Sequence, residues 1–402
     1  MWLKIKPEEP LILGDVRASS QFLSSMPYIP GRVLRGAWVE WLLAQGHEDI
    51  LSTVERVRIG NFFPTVEWRP IRYILPLPLS ALTCKRDSGF RAEPHRKNRG
   101  HGVVDTLLPQ LAYQLFEKTS TRFSVPFTLT CSVCGDRMEP MSGFYSVYRD
   151  GSTERYVQTR PRYHAQTKVG LSRYRRAAAE QMLYTASALS PVAEPPEKKG
   201  GGNALVFMGR VHGEREEVKA LINAVNHVAI GALHTRGYGR VTAEEAEVTG
   251  LPDIAERVRQ FNGTLIQCWQ DIKRLAVNAD ELPEKLEGVY FSVDLLAPGV
   301  FRQKGTPSLV PTLRINGQIL APLFWMTRPG FASGWSTGWG LPKPTDLAAQ
   351  MGSVYVFRWE GELESLVPAL ERLESQGIGE RCDEGFGECL ICHPFHQEVK
   401  EK

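Results

Sequence analysis

The sequence lacks the features that mark membrane, secreted or disulfide-stapled proteins. No segment approaches the roughly 20 apolar residues that a membrane-spanning helix needs. The opening residues, MWLKIKPEEP, contain no apolar signal region. The seven cysteines are an odd number in a chain of 402 residues, which argues against a disulfide framework. We therefore expect a soluble protein in the reducing environment of the cytoplasm.

A strong net charge is also missing. Lys and Arg total 48 and Asp and Glu total 45, so the formal net charge is only +3. The overall charge therefore does not require a polyanionic partner, and a basic surface has to come from local clustering. Apolar residues form 42% of the chain, an ordinary globular value that allows a sizeable core. The length predicts about two to three domains.

A glycine-rich loop follows a helical pattern at two places in the chain. The first, Gly231–Val241, comes after the apolar run Val218–Ile230 and before a strand-like segment. The second, Gly377–Gly387, comes after the helical run Leu363–Leu373 and before the strand-like Cys389–Cys392. Because this spacing is domain-sized, it predicts two similar domains rather than a solenoid.

The first of these loops carries side chains suited to RNA. His234, Arg236 and Arg240 supply donors for phosphate, and Tyr238 supplies a face for stacking on a base. Its glycines permit positive φ and let a nucleic-acid backbone or another chain approach closely. A tight turn with solvated arginines explains the same residues equally well.

A predicted helix begins near Pro30, where apolar residues recur at helical spacing from Leu34 to Leu42. The free amides and positive dipole end of this helix, with Arg32 and Arg35 beside them, form a potential anion site. The alternative is an ordinary amphipathic helix with two surface arginines.

A basic segment rich in tyrosine lies between Glu154 and Glu180. It contains seven Lys or Arg residues, among them Lys168 and Arg173, and no acidic residue. Basic side chains give salt-dependent affinity for phosphate, and aromatic rings stack on unpaired bases. The alternative is a basic solvated hairpin. We favour RNA, since a merely solvated face does not need stacking residues.

The turn Cys131-Ser-Val-Cys134-Gly is typical of half of a zinc site. Cys84 and either His95 or His101 complete a predicted Cys₃His set, and we prefer His101 because glycines flank it. Unliganded cysteines are the main alternative, and a redox pair is disfavoured because no thioredoxin-like pattern surrounds the turn. A structural zinc would staple a loop-rich insertion that has little core of its own.

The order of predicted elements indicates an α+β protein with two ferredoxin-like βαββαβ domains. Residues 1–250 show strand, helix, strands with an insertion at about 80–150, then strand, helix, glycine-rich loop and strand. Residues 251–402 begin with a helical stretch and end in strand, helix, glycine-rich loop and strand. The predicted zinc site lies in the insertion of the first domain.

These motifs resemble those of the RAMP superfamily of CRISPR effector subunits. Tyr28–Ala37 resembles the family's helix-opening motif, and Gly231–Val241 and Gly377–Gly387 resemble its glycine-rich loops. Thr167–Arg173, leading to Glu180–Tyr184, is similar to its RNA-facing segment. With the Cys/His insertion and the Gly/Trp hairpin Trp335–Lys343, the chain most resembles the Csx-ten subunits of type III-D complexes.

This resemblance implies a non-catalytic subunit that caps the 5′ repeat-derived handle of the CRISPR RNA. It also implies docking on the large polymerase-type subunit and on the adjacent RAMP backbone subunit. The residues that it implies to face RNA are Arg32, Arg35, Lys168, Arg173, His234, Arg236, Tyr238 and Arg240. The second loop is acidic, so we expect it to bind protein or to support the first domain.

An enzymatic alternative follows from the same resemblance. Some RAMP proteins cleave CRISPR RNA by general acid–base chemistry, which needs a group such as histidine near a 2′-hydroxyl. His47, His164 and His234 are the candidates, but they show no fixed pairing along the sequence. We therefore keep a metal-independent endoribonuclease as the alternative.

Overall fold

The computed structural model describes residues 1–14, 22–66, 71–91, 100–119, 129–150, 153–193, 204–248, 250–336, 340–397 and 402. The α-helices of this part are α1 (Gly31–Ala44), α2 (Ile50–Glu55), α3 (Leu107–Glu117), α4 (Arg215–His227), α5 (Ile254–Arg274) and α6 (Leu363–Gln376). Among these helices, none is both long enough and apolar enough to cross a membrane.

The strands outnumber the helices, and almost all of them pair antiparallel. The first half contains β1 (Trp2–Pro7), β2 (Phe22–Leu23), β3 (Arg58–Val66), β4 (Ile71–Pro76), β5 (Ala81–Cys84), β6 (Val103–Asp105), β7 (Met138–Pro140), β8 (Phe144–Asp150), β9 (Thr153–Gln158), β10 (Pro161–Ser172), β11 (Ala177–Ala193), β12 (Leu205–His212) and β13 (Val241–Glu245). The second half contains β14 (Val289–Leu295), β15 (Phe301–Gln303), β16 (Thr306–Ser308), β17 (Leu313–Ile315), β18 (Gln318–Leu320), β19 (Phe324–Met326), β20 (Pro329–Ala332), β21 (Trp335–Ser336), β22 (Leu341–Pro342), β23 (Asp346–Ala349), β24 (Val354–Trp359) and β25 (Cys389–Ile391). The expected α+β class is confirmed.

The first large sheet has the strand order β13-β1-β12-β3. Helices α1 and α4 contact each other and pack on this sheet, and their apolar faces share one core with it. Helix α4 begins at Glu214, where the side chain of Glu217 accepts a hydrogen bond from the Glu214 amide as part of a capping box. Trp38 and Phe62 are fully buried in this core. We call the sheet and these helices the first unit.

The second large sheet has the strand order β19-β24-β14-β25. It repeats the order of the first sheet, with β14, β24, β25 and β19 in the places of β1, β12, β13 and β3. Its core contains buried side chains from α5, α6 and the sheet, including the stacked rings of Phe291 and Phe357, whose centroids are 5.4 Å apart. Small hairpins stand between β14 and β19 instead of a helix. We call this sheet with α5 and α6 the second unit.

Helix α3 of the predicted insertion packs on the second unit. Helix α3 packs against α5, and its residues Leu108, Leu111 and Phe116 belong to the core of the second unit. Burying this apolar face of α3 stabilises the insertion by roughly 1.5–3 kcal/mol for each large side chain. The core of the second unit therefore includes side chains from before and after residue 250.

A long hairpin follows the insertion. Strands β10 and β11 pair antiparallel, and β11 continues as far as Ala193. Leu189, near the end of β11, is buried in the core of the first unit. Residues 194–203, between β11 and β12, lie outside the described residues.

Candidate nucleic-acid interface

The two glycine-rich loops have the same backbone conformation. In the first, Leu233 and Gly237 have φ of 62° and 79° on either side of a 3₁₀ turn. In the second, Arg381 and Gly385 have φ of 59° and 86° on either side of an equivalent turn. The recurrence of this loop, predicted from glycine spacing, is confirmed in the backbone.

Glycine is required where each loop closes on itself. The amide of Ile230 donates to the carbonyl of Gly239 at 2.9 Å, and the amide of Ile378 donates to the carbonyl of Gly387 at 2.9 Å. A Cβ at Gly239 would lie 2.6 Å from the Ile230 oxygen, and one at Gly387 would lie 2.0 Å from the Ile378 oxygen. Both glycines also have positive φ, so a side chain is excluded by contact and by backbone strain.

The first loop contacts the long hairpin. The hydroxyl of Tyr238 donates to Oε1 of Gln166 at 2.7 Å, and the ammonium group of Lys168 lies 4.9 Å from the Tyr238 ring centroid. The guanidinium of Arg236 donates to the hydroxyl of Tyr184 on the other hairpin strand. We call these five residues the loop–hairpin junction. Two segments that the sequence marked separately as RNA-facing thus meet in one surface.

The expectation that Tyr238 offers a stacking face is wrong for this conformation. Its side chain is only 4% exposed, and it packs with Ala186, Ala188 and Ile12 beneath the hairpin. The ring supports the Lys168 ammonium by a cation–π contact instead of facing solvent. We attribute to Tyr238 the positioning of the hairpin and of Lys168.

The predicted cations around this junction remain accessible. His234, Arg236 and Arg240 are exposed on the first loop, and Lys168 is half-buried. Arg173 is exposed near the tip of the hairpin. The predicted cations of the first loop and of the hairpin tip are therefore open to solvent.

The two arginines of α1 contact the second loop. Arg35 donates from its guanidinium to the carbonyl of Asp383, and the guanidinium of Arg32 lies 5.4 Å from the ring centroid of Phe386. At the helix start the Gly31 amide donates to Oδ1 of Asn61 at 3.2 Å. The predicted anion site at this helix end is thus partly occupied by the protein itself.

Charged side chains of the second loop form ion pairs with each other and with neighbouring residues. Arg381 pairs with Glu384 at 2.9 Å and with Asp346 at 3.0 Å, and Lys343 pairs with Glu384 at 3.0 Å. Most of these charges are thus paired, and the loop contacts α1 of the first unit through Asp383 and Phe386.

A buried charge network also joins the two units. Arg210 of β12 and Arg257 of α5 both pair with Glu374 of α6, at 3.0 and 2.9 Å. Burial opposes ionisation of Glu374, but the two arginines outweigh it and hold the pKa of this carboxyl below its usual value. Burial raises the pKa of the neighbouring Glu388, whose Oε2 accepts from the Asn61 amide.

The four predicted metal ligands lie together. The ligand atoms of Cys84, His101, Cys131 and Cys134 all fall within 4.8 Å of one another. The Sγ atoms of Cys84 and Cys134 are 3.5 Å apart, and Cys131 Sγ is 3.5 Å from Nδ1 of His101. The alternative ligand His95 lies outside the described residues.

The chemistry of this cluster fits a metal ion that prefers thiolate and imidazole ligands. Burial would raise the pKa of the Cys131 thiol, but the amides of Cys134 and Val133 bond to the sulfur and lower the pKa to about 6. Nε2 of His101 lies 3.3 Å from a carboxylate oxygen of Asp87, an arrangement that orients a metal-bound imidazole through its second nitrogen.

The sequence did not predict that Gln166 and Tyr184 hold the first loop against the hairpin. Period-two alternation places His164, Gln166 and Lys168 on one face of β10, which was the available signal for Gln166. No sequence pattern pairs Tyr184 with Arg236, which lies 52 residues further along the chain. Contacts over such a separation depend on the fold.

Two family models match the chain. The model of the RAMP superfamily matches residues 4–242, and the model described as CRISPR-associated protein (Cas_Cmr3) matches residues 266–394. None of the curated proteins matches the chain.

Solved structures from type III CRISPR complexes are similar to the chain at low identity. A chain of the type III-B Cmr-beta complex bound to cognate target RNA is 12% identical, with a TM-score of 0.40, covering 89% of this chain and 86% of that chain. A chain of the Csm3–Csm4 subcomplex of the type III-A interference complex is 14% identical, with a TM-score of 0.34, covering 88% and 92%. The family assignment comes from the sequence models, because the RAMP model alone spans more than half of the chain. The chain therefore belongs to the RAMP superfamily of CRISPR-associated proteins.

Proposed function

We propose that this protein is a non-catalytic RNA-binding subunit of a type III-D CRISPR effector complex in the cytoplasm. In this role it caps the 5′ repeat-derived handle of the CRISPR RNA. It docks on the large polymerase-type subunit and on the adjacent RAMP backbone subunit. The two units correspond in this proposal to two ferredoxin-like domains, and no membrane is involved.

The loop–hairpin junction is the observation that carries the proposal. It joins Arg236 of the first loop to Tyr184, and Tyr238 to Gln166 and Lys168. The first loop combines glycines, which let another backbone approach closely, with exposed guanidinium and imidazole groups. This combination suits a sugar–phosphate backbone, which proteins bind through its charge. The junction is preorganised by hydrogen bonds within the protein, so RNA binding does not have to order it.

The RNA-facing set in this proposal follows from exposure and contacts. Exposed His234, Arg236, Arg240 and Arg173 contact phosphates directly, and Lys168 adds a charge held by the Tyr238 ring. Arg32 and Arg35 form a second group at α1, where the second loop orients both side chains. We expect the handle to contact the junction first and α1 next.

Cys84, His101, Cys131 and Cys134 hold a structural zinc ion in this proposal. Zinc supplies a tetrahedral cross-link between the strand end at Cys84 and the turn at Cys131. Such a cross-link stabilises the sheet β6-β5-β7, from which α3 enters the core of the second unit. In this proposal zinc therefore stabilises the fold and has no part in catalysis.

RNA binding and cleavage by the purified protein test the proposal. A labelled repeat-handle RNA is compared with a scrambled RNA across a salt series. We expect tight, salt-sensitive binding that prefers the handle, without cleavage. Arg236→Ala weakens this binding, whereas the matched control Arg215→Ala, an exposed arginine on α4 outside the junction, leaves it nearly unchanged.

Cleavage would support the alternative enzyme. Metal-independent cutting at one position of the repeat, lost in His234→Ala or His164→Ala, would make the protein a processing endoribonuclease. Binding with equal affinity to handle and scrambled RNA would contradict a handle-specific cap while leaving an RNA-binding scaffold.

A further inference from the structure

A cleft of about 400 Å³ opens between the two units, away from the loop–hairpin junction. Segments of both units line it, and none of the five junction residues does. Its lining includes Arg35, Arg56, Arg58, His212, Ser375 and Asp383. The cleft falls within the size range of small-molecule sites, which is about 300–1,000 Å³.

Arg58 and His212 face each other across two strands at the wall of this cleft. They are register partners in the antiparallel pair of β3 and β12. Nη1 of Arg58 donates to the carbonyl of Ser375 at 2.9 Å, while Nη2 is buried and has no hydrogen-bond partner among the described residues. A guanidinium with only a neutral acceptor keeps its full charge and has unused donor capacity.

The other cations of the cleft differ in how far they are neutralised. Arg56 pairs with Glu217 at 2.6 Å. Arg35 donates only to the backbone carbonyl of Asp383, a neutral acceptor. Within the described part of the chain, no carboxylate lies at ion-pair distance from Arg35 or Arg58. The carboxylates of Glu55 and Asp383 also line the cleft, but neither forms an ion pair with these two arginines, whose guanidinium groups therefore keep unpaired positive charge.

His212 lies in a buried and cationic part of the cleft wall. Burial lowers the pKa of His212 most, and Arg210, the amino-terminal ammonium of Met1 and Arg58 lower it further, to about 4, against the opposing effect of Glu374. At neutral pH the imidazole is therefore uncharged and faces a cationic surrounding. An anion in the cleft would favour the protonated form of His212, whose pKa would rise, and would give Arg35 and Arg58 a charged acceptor.

We infer that this cleft binds a phosphoryl group, with Arg35 and Arg58 as its cationic ligands and His212 at its wall. Guanidinium groups match the oxygens of phosphate in geometry and charge, and the cleft has room for an attached nucleoside. The phosphoryl group belongs either to a free nucleotide or to the end of an RNA chain. This site lies beyond the proposed handle contacts at the junction, although Arg35 belongs to both sets.

The test begins without RNA, so that its result does not depend on the proposed function. Inorganic phosphate and adenosine monophosphate are titrated into the full-length protein. Calorimetry follows binding, and the NMR signals of the His212 ring report its ionisation. We expect saturable binding and an increase in the pKa of His212. Unchanged His212 signals at millimolar phosphate would overturn the inference.

Variants assign the ligands. Arg35→Gln and Arg58→Gln each weaken binding at least about tenfold, because each removes a charge-assisted contact. Arg215→Gln, outside the cleft, is the matched control. If Arg58→Gln does not fold, Arg35→Gln carries the test alone. Equal phosphate affinity in Arg35→Gln and Arg215→Gln would contradict the assignment.

The source of the phosphoryl group is then compared directly. RNAs of one sequence, with a 5′-phosphate or a 5′-hydroxyl, are bound to the protein and to Arg35→Gln. A preference for the 5′-phosphate that Arg35→Gln abolishes assigns the cleft to an RNA end. Binding of adenosine monophosphate without such a preference assigns it to a free nucleotide. Failure of Arg236→Ala to weaken RNA binding would contradict the proposed function alone, leaving the phosphate result intact.

Discussion

The ammonium group of Lys168 lies 4.9 Å from the ring centroid of Tyr238, so a cation of the hairpin is held by an aromatic ring of the first glycine-rich loop. Phe386 occupies the corresponding place in the second loop and lies under Arg32 and Arg381. The two loops thus use one design, an aromatic ring that positions cations. The two loops differ in the surroundings of the cation. Arg381 forms ion pairs with two carboxylates, whereas Lys168 is half-buried and lies beside exposed cations.

Substitution of Tyr238 separates positioning from direct contact with RNA. We expect Tyr238→Phe to keep the cation–π contact and nearly full RNA affinity, at a cost of about 1 kcal/mol in the free energy of unfolding for the lost hydrogen bond to Gln166. Tyr238→Ala removes the buried ring, so we expect a loss of about 3–5 kcal/mol and weaker RNA binding. Urea unfolding and RNA titration measure both. If Phe weakened RNA binding as much as Ala, the hydroxyl itself would contact RNA.

Short-range patterns explain which parts of this site were predictable from the sequence. Glycine spacing identified both loops, because Gly239 and Gly387 are the positions where a Cβ would clash with the backbone. The spacing of Cys131 and Cys134 predicted two of the metal ligands. Cys84 and His101 were then chosen as a cysteine and a glycine-flanked histidine that could complete the set. The clustering of all four side chains is confirmed.

Contacts between distant segments explain what was missed. Tyr238 looked like an exposed loop aromatic, and only the folded hairpin, with Gln166 at a separation of 72 residues, buries it. The amphipathic pattern of α3 predicts an apolar face but not its partner, so its packing on α5 in the second unit was not foreseen. The docking of Asp383 on Arg35 likewise requires both units to be in place.

Removal of the metal tests the structural role of the Cys/His cluster. We expect about one zinc ion per chain, measured by mass spectrometry, and a lower melting temperature after chelation, because metal binding contributes to folding free energy. Cys131→Ser is expected to lose the zinc, and Cys382→Ser, a thiol outside the cluster, is the control. An unchanged melting temperature after complete removal of zinc would contradict a structural role.

The buried imidazole of His396 predicts a loss of stability at high pH. Nδ1 lies 2.8 Å from Asp105 Oδ2 and Nε2 lies 2.7 Å from Asp294 Oδ1. Burial opposes the charge, but Asp294 and Asp105 outweigh it and raise the pKa of His396 to about 10. Since this pKa lies above the value in the unfolded chain, the stabilisation is fully present below about pH 6.5 and is lost as pH rises toward 10.

Urea unfolding between pH 6 and pH 10 measures this dependence. The free energy of unfolding is expected to fall by a few kcal/mol over the range. His396→Gln, which does not titrate, is expected to be less stable at pH 6 and to lose this part of the slope. A slope unchanged by the substitution would assign the pH dependence to other groups.

The last prediction concerns the charge network that joins the units. Glu374→Gln leaves Arg210 and Arg257 without their shared carboxylate, and Arg257 is almost fully buried. Breaking a buried ion pair on one side costs about 3–5 kcal/mol, because the remaining charge is desolvated without compensation. Glu371→Gln, an exposed residue of the same helix, is the matched control and is expected to change stability by less than about 0.5 kcal/mol. Because the network holds α6, from which the chain enters the second loop, Glu374→Gln should also weaken RNA contacts that depend on Arg32 and Arg35. Equal stability of the two variants would mean that the units are joined mainly by their apolar contacts.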